Sequence, residues 1–168
     1  MSTFINDNSV FSLLYQHYTQ VPHCVAIGIR AEGADCGKPV MSVPWRSELV
    51  GNAESQTIHG GIITSLVDVV SACAVAAKLT DFEVIATLDM RIDYMHPATS
   101  GDRVYAKAEC YRLAGQVAFV RAHCYQHDEN DPIALGTAAF MRTPFADAAE
   151  KQQFESYLKQ HYGKGELA

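Results

Sequence analysis

No two of the five cysteines stand in a C-x-x-C spacing; they lie scattered at positions 24, 36, 73, 110 and 124. An odd and dispersed set supplies neither a disulfide framework nor a zinc ribbon, and it fits reduced thiols in a cytoplasm. Cys73 falls in an apolar segment and Cys110 and Cys124 in strand-like runs, where a free thiol behaves as a small buried hydrophobe. Basic clusters are missing too. Thirteen Lys and Arg against nineteen Asp and Glu leave a net charge of -6, and no Lys/Arg run is interleaved with aromatics, so a nucleic-acid partner is not expected. The cations of the second half, Arg91, Arg103, Lys107, Arg112, Arg121 and Arg142, are expected mostly on a solvated face. The N-terminus MSTFINDNS has no basic start and no apolar run, so it does not read as a signal peptide. The one long apolar stretch, 62–79, carries Asp68, Thr64, Ser65, Ser71 and Lys78. An Asp in mid-helix costs about 2.5 to 3.5 kcal/mol on insertion scales, so a buried helix of a water-soluble protein is expected and a membrane span is not. His123 and His127 run along a strand into a turn with no acidic or cysteine partner at ligand spacing, and no metal site is expected. Internal repeats and low-complexity tracts are absent.

What is present fits one domain over residues 1–168, with 48% hydrophobic residues to build a core. Val10, Phe11, Leu14, Tyr15 and Tyr18 recur at helical spacing and predict a short amphipathic helix over 7–20, with Asn8 or Ser9 as its cap. Val25, Ile27 and Ile29 alternate, and Val40, Ser42 and Val43 precede Pro44, so two strands are expected around a loop at 32–39, with Pro44 at an edge or a bulge. A polar loop at 49–58 leads to a helix that is apolar on every face and ends at Thr80-Asp81. Such a helix is normally wrapped by other structure. Strands are expected at 86–95, 103–113, 117–126 and 133–143, joined by connections short enough to be antiparallel hairpins. A closing helix over 146–162 carries Phe154, Tyr157, Leu158 and His161 on one stripe, with Gly163 as its stop and a disordered tail beyond. The plan is α+β: a sheet curled round one buried helix, with extra helices at both ends.

Residues 59–68 read His-Gly-Gly-Ile-Ile-Thr-Ser-Leu-Val-Asp. Glycines at a helix start leave backbone N–H groups uncovered at the positive end of the helix, where a carbonyl oxygen can approach. Asp68 supplies a base or a nucleophile. Gly60 and Asp68 are eight residues apart, roughly 12 Å along a helix at 1.5 Å per residue, too far to act on one carbon from one chain. Acting together therefore requires two chains. The plainer alternatives are a glycine pair that merely lets backbone pack closely, and a buried carboxylate held in a structural pair. His59 reads as a cap orienting the turn or as a base.

His59-Gly60-Gly61, Leu66-Val67-Asp68, Leu88-Asp89-Met90 with Ile92 and Tyr94-Met95, Pro97, Gly101-Asp102 and Ala134-Leu135-Gly136-Thr137 together resemble the hotdog-fold acyl-CoA thioesterases of the phenylacetate-degradation (PaaI-like) branch, over about residues 25–143. The resemblance implies a curved antiparallel sheet wrapped round the central helix. It also implies a homodimer or a dimer of dimers (homotetramer), with sites at the dimer interface and an acyl-CoA substrate. Gly60 matches the glycine whose N–H polarises the thioester carbonyl. Asp68 matches the partner-donated carboxylate that activates water or attacks the acyl carbon. Thr87 falls where relatives can carry a hydroxyl that holds the water, with a spacing from Asp68 that differs by one. Gly61, Asn52 and Gln56 are candidate substrate contacts, Ala53 competing with Asn52 for the same slot. No metal or redox cofactor is implied.

Two other functions compete. A hotdog hydratase or dehydratase needs a carboxylate and a histidine converging on the acyl chain, often as Asp-x-x-x-x-His, and position 73 here is Cys73. A non-catalytic acyl-CoA binding or sensing domain has no need to retain Gly60 together with Asp68.

Overall fold

The computed structural model describes residues 9–35 and 37–162. Eight strands, four α-helices and one 3-10 turn alternate along them. Helix α1, Ser9–Gln20, buries Phe11, Leu14 and Tyr15, as its spacing requires. Next comes a short helix, α2, Pro22–Ile27, where alternation of apolar residues had suggested a strand. Pro22 starts it and Gly28, at φ +81°, ends it, its N–H donating to the Cys24 and Val25 carbonyls. Proline at the first helical position and glycine past the last favour a helical turn over extension of so short a segment. The first strand is thereby displaced to β1, Arg30–Asp35, which pairs antiparallel with β2, Lys38–Val43, across a tighter turn than expected. Pro44 marks the end of β2, which lies inside the sheet between two neighbours.

A 3-10 turn at Ser47–Leu49 and a small hairpin, β3 Val50–Asn52 with β4 Thr57–Ile58, replace the polar loop. The central helix α3 spans Gly60–Ala76 and ends before Leu79. Four long strands follow, β5 Glu83–Tyr94, β6 Val104–Ala114, β7 Val117–Tyr125 and β8 Ala134–Pro144, within a few residues of the expected spans. The six-stranded antiparallel sheet has the order β1-β2-β6-β7-β8-β5. The connections β6–β7 and β7–β8 are hairpins, but the link over 95–103 is not: β5 pairs with β8 and forms the sheet edge. A short connection bounds distance and leaves the pairing partner open.

Helix α3 packs on one face of the sheet and against α1, which together cover most of its apolar surface. Its buried set includes Leu66, Val67, Val70 and Cys73, and the sheet answers with Ala106, Ala122 and Ala138. Small residues are what let the helix approach. A Cβ at Gly136 would stand 2.8 Å from Val67 Cγ1. The closing helix α4, Ala148–Tyr162, packs against α1, with Leu158 fully buried and Tyr157 and His161 exposed. The expected stop at Gly163 and the tail lie outside the described residues.

The cations of residues 91–142 divide. Arg91, Arg112 and Arg121 are exposed as expected. Lys107 is only 7% exposed, held by Asp35 and Glu129. Arg142 is partly buried in a two-pronged contact with Glu83, and Arg103 donates to Ser42 Oγ. A charged side chain leaves water this way only when a partner meets it. Cys24, Cys73, Cys110 and Cys124 are free and buried, and burial pushes the Cys124 thiol up to about 12.

Candidate active site

The turn into α3 is built by close backbone approach. Gly51 packs directly under His59: a Cβ there would lie 2.7 Å from His59 Cα. The His59 amide donates to the Leu49 carbonyl at 2.8 Å, tying the turn to the preceding segment. His59 is the N-cap of α3, and its Nδ1 accepts from the Gly61 N–H at 2.9 Å. That hydrogen bond requires Nδ1 to be unprotonated. Gly60 opens the helix, where an amide has no intrahelical acceptor. This places an oriented donor at the positive end of a 17-residue helix.

The two other loop candidates are engaged locally. Asn52 Oδ1 accepts from the Glu54 and Ser55 amides at 2.9 and 3.0 Å and shapes the hairpin turn. Gln56 has φ +55°, its side chain donates to the Ala53 carbonyl, and its own carbonyl accepts from Trp45 Nε1. Both side chains are exposed, on the hairpin before His59.

Asp68 sits two helical turns further on. With Gly61, Ser65 and Ala72 it forms a stripe at i, i+4, i+7, i+11 that the fold of one chain leaves at least partly open. Thr87 Oγ1 donates to Asp68 Oδ1 at 2.7 Å. The contact depends on an irregularity in β5. Residues 89, 91 and 93 pair with Ala139, Thr137 and Leu135, on the face away from the helix, while Thr87 pairs with Phe140, whose side chain is in the core. The register slips between Thr87 and Asp89, so one extra residue, Leu88, turns Thr87 from the face of Asp89 to the face of Asp68.

Tyr94 stands at the far end of β5, where the sequence shows it only as part of a pattern. Its hydroxyl donates to the Gly60 carbonyl at 2.8 Å and lies 3.0 Å from Thr64 Oγ1. Tyr94, Gly60, Ile63, Met95 and Pro97 line an open cleft of roughly 310 Å³ beside the helix start. Alternation marks Tyr94 as helix-facing, but nothing in the sequence says which backbone group it meets. Among the described residues, no cluster of three His, Cys, Asp or Glu side chains is placed to hold a metal ion.

A central helix that starts at a glycine, cradled in a curved antiparallel sheet with extra helices at both ends, is the arrangement of the hotdog class. Solved structures agree: a Pseudomonas aeruginosa protein superposes with TM-score 0.71 at 40% identity, over 79% of this chain and 99% of that one. The phenylacetic acid degradation protein PaaI from Thermus thermophilus, solved as a mutant, gives TM-score 0.62 at 26% identity over 73% and 99%. The chain belongs to the thioesterase superfamily, whose sequence profile matches residues 55–133, and by class it is a thioester hydrolase. Among curated relatives, the medium/long-chain acyl-CoA thioesterase YigI of Escherichia coli K12 is 26% identical over 155 residues, covering 84% of this chain and 99% of its own.

Proposed function

We propose that this protein hydrolyses acyl-CoA thioesters to the free acid and CoA, as a homodimer or dimer of dimers in which each site joins Gly60 of one chain to Asp68 of another. The observation that carries the reading is Asp68 itself, a carboxylate held by a threonine hydroxyl on the open stripe of an otherwise apolar helix. Such a stripe suits a face that a second chain covers. The roughly 12 Å of helix between Gly60 and Asp68 makes the two-chain site necessary if both act on one carbon. The relatives named for acyl-CoA substrates support the substrate class, and their names point to medium and long acyl chains.

The chemistry follows from the groups. The thioester carbonyl oxygen accepts from the Gly60 amide, which strengthens its hold as the oxygen becomes an oxyanion; one such donor is typically worth about 2.7 to 4 kcal/mol. Thr87 donates to Asp68 Oδ1 and keeps acceptor lone pairs for a water hydrogen. Asp68 takes a proton from that water as its oxygen attacks the acyl carbon. The tetrahedral intermediate then collapses, the C–S bond breaks, and the proton passes from Asp68 to the departing thiolate. His59 acts as the cap that orients the donor turn, and Gly61 as the amide that engages it. The buried, free thiols are in keeping with a cytoplasmic setting.

The test is hydrolysis of short, medium, long and aromatic acyl-CoAs, followed by loss of thioester absorbance, with wild type beside Asp68→Asn. Turnover that falls by about 10²-fold or more in the folded variant is expected for loss of a general base. No turnover by folded wild type moves the reading to an acyl-carrier-protein substrate or an acyl-CoA sensor.

A further inference from the structure

An amide donor is useful only while its direction is fixed, and glycine is the residue that restrains its own backbone least. Hydrogen bonds on both sides of Gly60 supply the restraint. On the N-terminal side, the His59 carbonyl accepts from the Ile62 N–H at 2.9 Å, which orients the peptide that carries the Gly60 N–H. On the C-terminal side, the Gly60 carbonyl accepts from Tyr94 Oη at 2.8 Å and from Thr64 Oγ1 at 3.1 Å, while the Gly61 N–H at the other end of that peptide donates to His59 Nδ1. The Gly60–Gly61 peptide is therefore gripped at its oxygen from the sheet and at its nitrogen from the cap.

Glycine and tyrosine are matched in shape as well. A Cβ on Gly60 would stand 3.1 Å from Tyr94 Oη and 3.3 Å from Cζ, tighter than ordinary contact. Yet Tyr94 is 52% exposed and lines the cleft beside Gly60, so it is not there to fill the core. A half-exposed ring that reaches a backbone carbonyl through its hydroxyl is spanning from strand to helix start.

We infer that Tyr94 is a positioning residue for the Gly60 donor: it clamps the turn from β5 so that the Gly60 N–H keeps its aim as the carbonyl oxygen becomes an oxyanion. The inference rests on the reading of Gly60 as the carbonyl donor. Tyr94 acts through Gly60, so its loss weakens an interaction that tightens in the transition state more than it weakens substrate binding.

The experiment is Tyr94→Phe, which keeps the ring and removes the hydroxyl, read in two ways. With a medium-chain acyl-CoA, kcat falls about tenfold while KM stays within about twofold of wild type. By NMR, hydrogen exchange at the Gly61 amide of the substrate-free protein, which donates to His59 Nδ1, quickens by about fivefold or more, with distant helix amides unchanged. A folded variant with wild-type kcat, or with unchanged exchange at this amide, overturns the inference. Wild type without thioester turnover overturns the proposed function separately; faster exchange in the variant then still shows the clamp, and only its link to a carbonyl donor is lost.

Discussion

Gly136→Ala adds one methyl group where α3 rests on β8. The new Cβ would stand 2.8 Å from Val67 Cγ1, whereas carbon atoms attract best at about 3.5 to 4.0 Å, so something must give by roughly an ångström. Valine on a helix has essentially one favoured rotamer, and Val67 is 1% exposed, so the side chain cannot swing aside and the helix itself must lift. Overpacking of this kind costs about 1 to 3 kcal/mol, offset by about 0.4 to 1 kcal/mol because alanine leaves the unfolded chain fewer conformations than glycine. A net loss of about 1 to 2 kcal/mol lowers Tm by about 2 to 8 °C for a chain of this size. Val67 adjoins Asp68, so lifting the helix also disturbs the 2.7 Å bond from Thr87, and turnover falls with stability. The assay is denaturant unfolding at fixed protein concentration, run as a double-mutant cycle with Val67→Ala, which removes the opposing carbon. The Gly136→Ala penalty shrinks by about 1 kcal/mol in that background. Equal penalties in both backgrounds refute the claim that this contact sets the spacing of helix and sheet.

Mixing a chain carrying Gly60→Val with one carrying Asp68→Asn restores turnover in the heterodimers, at the one site per dimer that keeps both native residues. No recovery despite subunit exchange, verified by mass spectrometry, counts against a cross-chain site. Acid destabilises the fold through its histidines: burial lowers the pKa of His17 and of His123, the latter despite the nearby Glu129. Each takes up its proton more readily when unfolded, so their stabilising contribution is complete above the unfolded pKa near 6.5 and is lost as pH falls through it. Unfolding free energy therefore drops between about pH 7.5 and 5.5, and His123→Gln reduces the slope in that window. Carboxylates such as Glu109 and Glu129, whose pKa values are lowered by Arg121 and Lys107 respectively, act at lower pH and do not mimic it.

Residues 60–76 and the four long strands were legible because their signals are collective: an apolar run with one carboxylate, and alternation sustained over many positions. The His59 cap and the place of Asp68 on the helix follow from the same pattern. What escaped the sequence was decided by contacts between distant segments. Strand β5 pairs with β8 and not with the next strand along, because sheet closure sets the partner and the loop only limits reach. The Pro22 and Gly28 boundaries of α2 were visible, but the alternation of Val25, Ile27 and Ile29 pointed the other way, and six residues are too few for periodicity to decide. Lys107 reads as a solvated cation in the sequence because its acidic partners, Asp35 and Glu129, lie far off in the chain. Gly51 and Tyr94 shape the donor turn through backbone atoms, and a backbone atom leaves no mark in a sequence.

The extra residue in β5 gives one strand two reading frames. From Asp89 to Tyr94 the strand is read in the phase that packs Met90 and Ile92 toward the core; before Leu88 it is read in the opposite phase, the one that delivers Thr87 to Asp68. Ile85, two residues before Thr87, shares the phase that turns toward the helix and packs against the core, so the place of the slip sets which residue of the strand reaches Asp68.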